Sequence, residues 1–386
     1  MKIAIWGIRD GEYLYQQIKQ NDTKYEVVGF CDNGNVEKKV LNNIPIMSIE
    51  ELVEKYISGD IQGVIISVRK GYSRYCIIKQ LKKHGIENII LLKPSPLTFK
   101  LPIIFDEDDP RYHLQWLNLN MCYKPIIQHL EINIADGCNL NCKGCLHFSN
   151  LYSRDEFPDL ESLLKTIQEV AKKCEIFQFR VLGGEPLLNT NLAEFLIKLR
   201  KILPNTDLAV ISNGILIPKV SDKLFRVMNE NYIGFNLTLY KPTLKMKKNI
   251  YTTLEQNGVA YGSHEAITDK FEKYLMLEPA KIDEKPYEKC VSRGILFLKN
   301  NMLFRCPLEA CIEKYYETFQ IDLKAPEGID VFDENINWEI LVSELYEKPR
   351  KLCYYCSVKS EEYEWSNGKA EKEDWLISNI KGKEEL

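Results

Sequence analysis

Three cysteines stand close together in the middle of the chain, directly after a short apolar run. They are Cys138, Cys142 and Cys145, with the spacing CxxxCxxC, and the run before them is Leu130 to Ala135. Three thiolates in one loop can bind three irons of a cubane 4Fe–4S cluster and leave the fourth iron without a protein ligand. Zinc is the alternative, with His147 as a fourth ligand.

Glycine and polar residues follow the next apolar runs of the same region. Apolar runs separated by helical patterns indicate parallel strands, and the active site of a parallel barrel lies at the carboxyl ends of its strands. We therefore expect these residues to lie beside the cysteine loop. They are Gly183, Gly184, Glu185 and Pro186 after the second run, Ser212 and Asn213 after the third, and Thr238 in the fourth.

The cysteine loop followed by Gly-Gly-Glu-Pro resembles the radical S-adenosylmethionine superfamily, over about residues 128 to 265. The resemblance implies that Cys138, Cys142 and Cys145 hold a 4Fe–4S cluster whose free iron is chelated by S-adenosylmethionine. One electron would then cleave the cofactor and give a 5'-deoxyadenosyl radical, which removes a hydrogen atom from the substrate.

The same resemblance assigns further residues to S-adenosylmethionine. The stretch Gly183 to Pro186 is similar to the edge that meets the methionine amino group, with Glu185 as an acceptor. Ser212, Asn213 and Thr238 match positions that meet the carboxylate and ribose. The family usually has an aromatic residue before the third cysteine, where this chain has Gly144, and Phe148 is the expected substitute for stacking on adenine.

A second set of cysteines crowds into the last hundred residues. Cys290 and Cys306 flank a predicted hairpin, and Cys353 and Cys356 form a CxxC pair. Four thiolates of this kind can hold a second iron–sulfur cluster. A closed zinc site is the alternative, and its ligands would be Cys306, Cys311, Cys353 and Cys356.

This second set resembles the auxiliary-cluster regions called SPASM and twitch domains. The resemblance implies one twitch-like 4Fe–4S cluster held by Cys290, Cys306, Cys353 and Cys356, with Cys311 spare, because no cysteine follows Cys356. The pattern has a glycine five residues before the second cysteine. Asn301 occupies that position here, and asparagine tolerates left-handed backbone geometry.

Residues 1 to 95 read as an α/β unit with alternating strands and helices. The predicted strands are Lys2–Trp6, Glu26–Cys31, 64–68 and Ile89–Leu92, and such alternation implies a small parallel sheet of the Rossmann-like type. Gly7, Gly11 and Asp32 have the layout of a nucleotide-binding crevice. A tight turn that binds no dinucleotide is the alternative.

The predicted fold class is therefore α/β, with three domains. They are a Rossmann-like domain at 1–95, a partial TIM-type β/α barrel at 128–270 and a small auxiliary-cluster domain at 271–358. A proline-rich linker at 96–127 and a charged, solvated tail at 359–386 complete the expected organisation.

Composition limits the classes of partner that the chain is expected to bind. The chain has 386 residues and a net charge of -4, which gives no electrostatic reason to expect nucleic acid or an anionic membrane. No apolar run is long enough for a signal segment or a membrane span, so we expect a cytoplasmic protein, in which twelve cysteines favour metal ligation over disulfides.

The expected function is a radical enzyme that oxidises a hydroxyl of a carbohydrate or nucleotide-linked sugar, helped by the auxiliary cluster. This follows from the similarity of the four-cysteine layout to aminosugar and aminocyclitol dehydrogenases. A flavodoxin or ferredoxin would supply electrons. Epimerisation with Cys311 as hydrogen donor, peptide modification or enzyme maturation, and a non-catalytic metal-stapled binding protein are the alternatives.

Overall fold

The computed structural model describes residues 1–21, 24–34, 40–68, 70–92, 116–119, 124–263, 269–279 and 285–378. Within them the chain forms two compact units, one ending at Lys124 and the other beginning at Pro125. The predicted linker 96–127 falls mostly outside these residues. In the described ranges there is no helix with the length and apolarity that a membrane crossing requires.

The first unit contains a seven-stranded sheet. Its strands are β1 (Lys2–Trp6), β2 (Glu26–Cys31), β3 (Val40–Leu41), β4 (Ile44–Met47), β5 (Gly63–Ile66), β6 (Ile89–Leu92) and β7 (Trp116–Asn118), and its helices are α1 (Ile8–Asn21), α2 (Ile49–Ile57) and α3 (Gly71–Lys83). The strand order is β3-β4-β2-β1-β5-β6-β7. All neighbours pair in parallel except β3 and β7 at the two edges. The predicted parallel α/β alternation is confirmed, while β3, β4 and β7 lack a sequence signal strong enough to predict.

The second unit carries the two cysteine sets. Its strands are β8 (Ile126–Ile127), β9 (Leu130–Asn133), β10 (Glu175–Ile176), β11 (Gln178–Leu182), β12 (Asp207–Ser212), β13 (Gly234–Leu237), β14 (Tyr261–Ser263), β15 (Lys270–Leu275), β16 (Leu296–Lys299), β17 (Met302–Phe304), β18 (Ile329–Asp330) and β19 (Cys356–Glu364). Its helices are α4 (Leu160–Lys173), α5 (Leu192–Ile202), α6 (Asp222–Glu230), α7 (Lys241–Leu244), α8 (Lys247–Gln256), α9 (Lys285–Glu288), α10 (Pro307–Thr318) and α11 (Trp338–Glu347).

An eight-stranded sheet in the order β14-β13-β12-β11-β9-β16-β17-β18 organises this unit. Strands β9, β11, β12, β13 and β14 are parallel, and β16 pairs in parallel with β9 on its other side. The carboxyl ends of these strands share one edge. Because β14 and β18 end the order without pairing to each other, the sheet stays open, as a partial barrel does.

Local sequence explains the elements around this edge. Strands β9 and β11 are buried at every position, although polar residues lie between the apolar ones in both, among them the buried Glu131 and Arg180. Asp159 caps α4 by accepting a hydrogen bond from the Glu161 backbone at 3.0 Å, as predicted from its position before the apolar face.

The predicted hairpin consists of β16 and β17. Lys299 pairs with Met302, and the two residues between them, Asn300 and Asn301, have φ values of 49° and 65°. Two consecutive left-handed residues form the tight turn that antiparallel strands favour. The prediction of left-handed geometry at Asn301 is confirmed, and the hairpin extends the sheet that carries the first cysteine loop.

The prediction of a solvated tail from residue 359 is wrong for the described part of it. Strand β19 pairs antiparallel with β15, and the chain then crosses the first cysteine loop. The backbone of Lys143 donates to Ser366 O at 3.0 Å, and that of Gly368 donates to Asn141 O at 3.0 Å. Trp375 is 2% exposed and packs in the core of the unit. The sequence did not indicate this contact, because the segment is rich in charged residues and only a few apolar side chains make the contact.

Candidate active site and second cysteine site

The first cysteine loop opens onto a cavity of about 310 Å³. Cys138, Cys142 and Cys145 all line it. Asn141 and Gly144 have φ values of 50° and 67°, so the loop curls back on itself and turns the three thiols toward the same space. Burial raises the pKa of the Cys138 thiol to about 12, so the thiolate there needs a bound cation to stabilise it.

Gly183 and Gly184 line the same cavity and pack the end of β11 against the cysteine loop. A Cβ atom on Gly183 would lie 2.1 Å from Ala135 O, and one on Gly184 would lie 2.0 Å from Gly137 O. The backbones bond instead, with the Gly184 N–H donating to Ala135 O at 2.8 Å. The two glycines are needed for this close approach.

Glu185 lies behind the cavity wall and is completely buried. Its carboxylate accepts hydrogen bonds from Ser212 Oγ at 2.8 Å, from the Asn213 backbone at 2.9 Å and from the Leu187 backbone at 3.1 Å. Both oxygens therefore brace the end of β12. The predicted contact of Glu185 with a cofactor amino group is not favoured by this arrangement, and buried Pro186 begins the short turn behind it.

Ser212, Asn213 and Thr238 all line the cavity, so the structure brings the predicted residues together. The Asn213 side chain donates to Asn139 Oδ1 at 2.7 Å, and Ser212 Oγ accepts from the Gly214 backbone at 3.0 Å. Two of the three side chains thus hold the strand ends in place.

The aromatic wall of the cavity differs from the prediction. Phe148 is completely buried and packs against Tyr315 and Trp375, with ring centroids 5.4 and 5.3 Å away, so its expected role against adenine is not supported. Tyr240 and Phe271 line the cavity instead. Neither has a local motif that would have identified it.

The tail reaches the thiols themselves. Trp365 is 7% exposed, and its Nε1–H donates to Cys142 Sγ at 3.2 Å. Its ring stacks on Tyr240 at a centroid distance of 5.6 Å. Hydrogen bonds to a cluster's sulfur ligands influence its reduction potential, so this distant tryptophan belongs to the site.

Gly144, the departure from the family pattern, is explained by the tail. A Cβ atom there would lie 2.0 Å from Tyr363 Oη and 2.7 Å from Asp374 O. No side chain fits. The tail takes the space that an aromatic residue before the third cysteine would fill.

Substituting Gly144 with alanine is expected to lower the free energy of unfolding by about 1–3 kcal/mol more than a left-handed φ alone costs. Gly85 is a suitable control, because its φ is +76° and its Cβ would have nothing within 4 Å. Urea unfolding of G144A and G85A measures the difference. Equal losses in both variants would contradict the clash with the tail.

The four predicted auxiliary cysteines line a second cavity. Cys290, Cys306, Cys353 and Cys356 all face it, whereas Cys311 is 1% exposed within an apolar cluster. The zinc alternative requires Cys311 as a ligand in place of Cys290. Because Cys290 lines the cavity and Cys311 packs in the apolar cluster, the arrangement favours the four-cysteine cluster.

The predicted nucleotide crevice of the first unit is occupied by a carboxylate of the chain. Asp32 Oδ2 accepts from the Ile8 backbone at 3.0 Å, and Oδ1 accepts from the Gly34 backbone at 2.8 Å. Ile8 begins α1, so Asp32 takes the place at which a helix N-terminus would bind a phosphate. This favours the tight-turn alternative.

Comparison with known proteins identifies the central segment. Residues 132–257 match the family model described as the radical SAM superfamily. This segment is a radical SAM domain. It contains the cysteine loop and every predicted cofactor residue of the first site.

The curated relatives of this chain are matched over only part of their own length. The GTP 3',8-cyclase of Thermodesulfovibrio yellowstonii is 33% identical over 160 residues, which are 41% of this chain and 47% of the relative. That of Alkaliphilus oremlandii is 31% identical over 105 residues, or 26% and 32%. The chain thus spans less than half the length of these curated relatives. The crystal structure of BtrN with AdoMet and 2-DOIA is 15% identical, covering 60% of this chain and 87% of that one, with a TM-score of 0.34.

The cofactors of a radical SAM domain are a 4Fe–4S cluster and S-adenosylmethionine, and the residues present fit them. Three thiols face one cavity with no fourth thiol among its lining residues, as a cluster with an open iron requires. Ser149 Oγ and the side-chain amide of Asn150 also lie at this cavity, buried and without a protein hydrogen-bond partner in the described part of the chain. Buried polar atoms of this kind need a partner, which a bound ligand would supply.

The ionisation of Glu185 predicts a pH dependence for the cluster-free protein. Burial raises the pKa of Glu185 to about 7 from 4.5, although its hydrogen-bond donors oppose the change. Between pH 4.5 and about 7 the folded state therefore binds more protons at Glu185 than the unfolded state does. Its free energy of unfolding falls as the pH rises through this window, by about 3 kcal/mol at most.

E185Q removes the ionisable group, so we expect its stability to lose this part of the pH dependence. Urea unfolding of both proteins at several pH values from 4.5 to 8 provides the test. Parallel profiles for the two proteins would show that Glu185 does not titrate in this range.

Proposed function

We propose that this chain is a radical S-adenosylmethionine dehydrogenase that oxidises a hydroxyl of a carbohydrate or nucleotide-linked sugar to a ketone. The observation that carries the proposal is the second cavity, with four cysteines in the same compact unit as the radical SAM domain. Such a site can hold an auxiliary 4Fe–4S cluster, and oxidation of a substrate radical requires an electron acceptor of this kind.

The residues of the first cavity divide by role in this proposal. Cys138, Cys142 and Cys145 hold the first cluster. Gly183 and Gly184 present backbone to the methionine part of the cofactor. Ser212, Asn213 and Thr238 shape the wall beside its carboxylate and ribose, and Tyr240 and Phe271 replace Phe148 as candidates to contact adenine.

When bound, the cofactors supply a 5'-deoxyadenosyl radical, which is formed by one-electron cleavage of S-adenosylmethionine. This radical abstracts a hydrogen atom from the carbinol carbon. The substrate then loses the proton of its hydroxyl and one further electron, so that the product is two electrons more oxidised. Methionine and 5'-deoxyadenosine are released. Cys290, Cys306, Cys353 and Cys356 would hold the cluster that accepts this last electron, and a flavodoxin or ferredoxin would supply the first.

Three residues beyond the cysteine loop support a hydroxyl-bearing substrate. His147 lines the cavity, and its Nδ1 lies 3.1 Å from Asn133 Oδ1. The Asn133 amide directs its Nδ2–H to Cys311 Sγ at 3.9 Å and its Oδ1 to the imidazole, so the tautomer protonated at Nδ1 satisfies this contact. His147 Nε2 is then left as an acceptor. With Ser149 and Asn150, it offers both donors and acceptors without a formal charge, as neutral hydroxyl groups require.

Epimerisation is less well supported. It needs a hydrogen donor at the substrate, and Cys311 was the candidate. Cys311 is 1% exposed, packs among apolar side chains and is absent from the residues that line the first cavity. The nucleotide-linked form of the substrate remains a prediction, because Asp32 is engaged by its own turn.

The test is a turnover assay with the anaerobically reconstituted protein, S-adenosylmethionine and a panel of sugars, nucleotide sugars and aminocyclitols in deuterium oxide. GTP joins the panel because the curated relatives are GTP 3',8-cyclases. We expect a carbonyl product two hydrogens lighter than its substrate, with one 5'-deoxyadenosine per product. A product of unchanged oxidation state carrying deuterium at carbon would indicate an epimerase, and conversion of GTP alone would overturn the proposal.

A further inference from the structure

The second cysteine cavity contains a buried cation with unused donors. Arg305 directly precedes Cys306, is 3% exposed and lines the cavity. Its Nη1 donates to Leu345 O at 2.9 Å. Its Nε and Nη2 are buried and, within the described residues, have no hydrogen-bond partner. Burying an arginine in such a position lowers the free energy of unfolding unless an acceptor binds these donors.

The carboxylate of Glu309, which lines the same cavity, does not supply that acceptor. Glu309 accepts a hydrogen bond from the Arg305 backbone at 2.8 Å rather than from its side chain, and its other oxygen pairs with Arg350 Nε at 2.8 Å. On its remaining side the Arg305 guanidinium lies 3.9 Å from the ring centroid of Tyr287. An aromatic face attracts the cation but leaves the N–H groups of Nε and Nη2 without an acceptor.

Besides Ser292, the remaining polar groups among the described residues that line the cavity are the four thiols. As thiolates around a cubane they give the site a net negative charge, and each added electron increases that charge. A cation in the same cavity lowers the free energy of adding an electron, because it stabilises the more negative, reduced state most strongly. N–H donors to sulfur act in the same direction, since hydrogen bonds to the sulfurs are among the features that set a cluster's potential.

We propose that Arg305 donates hydrogen bonds to the sulfurs of the auxiliary cluster and raises its reduction potential, so that the cluster can accept an electron from the substrate radical. Arg305 thus acts on the reaction by tuning the potential of the cluster. The proposal rests on the proposed function, because it requires a cluster held by Cys290, Cys306, Cys353 and Cys356.

The experiment measures the potential of the auxiliary cluster alone. The background is C138A/C142A/C145A, which leaves one cluster to titrate. R305Q removes the charge, R305K keeps it with fewer donors, and R293Q is the matched control. The Arg293 guanidinium also lies 4.1 Å from the Tyr287 ring centroid, but Arg293 does not line the cavity. Iron content is measured first, and a redox titration followed by electron paramagnetic resonance gives the potential.

We expect R305Q to make reduction at least tenfold less favourable, which is a shift of about 59 mV to more negative potential. R305K should lie between R305Q and the parent, and R293Q should remain close to the parent. An unchanged potential in R305Q, or an equal shift in R293Q, would overturn the proposal while leaving the auxiliary cluster intact.

The remaining outcomes are also decisive. Loss of the cluster from both R305Q and R305K would make Arg305 a structural residue and overturn its tuning role. Absence of a cluster in the parent background, before any change to Arg305, would instead refute the proposed function. The two failures are therefore distinguishable.

Discussion

Replacement of Cys138, Cys142 and Cys145 by alanine is expected to remove about half of the roughly eight irons bound per chain and to abolish cleavage of S-adenosylmethionine. All three thiols line the first cavity, and two of them are less than 10% exposed. Among the residues that the structure describes, no other thiol lines that cavity to take their place. The loss of activity should therefore be complete rather than partial.

The measurement is iron and sulfide content after anaerobic reconstitution, together with 5'-deoxyadenosine formation under reduction. The remaining iron should still give a cluster spectrum, because the second cysteine set is untouched. Retention of cofactor cleavage, or loss of all iron, would contradict two independent clusters. Stoichiometric zinc with no cluster absorbance would contradict both.

Replacement of Cys353 and Cys356 by alanine is expected to have the opposite pattern. The first cluster stays, so S-adenosylmethionine is still cleaved, but product formation should fall at least 100-fold because the substrate electron has no acceptor. Cleavage becomes uncoupled from turnover. Iron content and the ratio of 5'-deoxyadenosine to oxidised product measure both effects.

Cys311 provides the control for this prediction. It lies in the same unit but outside the second cavity, so C311A should keep all of its iron and its coupling. C290A should lose the auxiliary cluster. The zinc alternative predicts the reverse, with metal lost in C311A and retained in C290A, and that result would refute the assignment of ligands.

Much of the fold is visible in the sequence because it depends on local signals. The apolar residues that recur between polar ones in β9 and β11 indicate strands, Asp159 marks the start of α4, and Asn300-Asn301 marks the hairpin turn. The spacing of the cysteines and the family resemblance predict the two sites. The structure brings the cysteines to two cavities, and the first cavity is also lined by Gly183, Gly184, Ser212, Asn213 and Thr238.

The features that the sequence does not reveal depend on contacts between distant residues. Trp365 lies 223 positions from the thiol to which it donates, and the space that Tyr363 occupies is what requires glycine at position 144. Arg305 sits beside a cysteine but looks like any arginine at the end of a strand. Its unsatisfied donors become evident only when its surroundings in the described part of the chain are known.

Two clusters in one chain, one open to S-adenosylmethionine and the other fully ligated by cysteine, are the basis of the proposed chemistry. Electron paramagnetic resonance of the reduced, reconstituted protein, recorded with and without S-adenosylmethionine, tests this most directly. We expect two cluster signals, of which one changes on addition of S-adenosylmethionine and the other does not. A single signal, or two signals that both change, would contradict this arrangement.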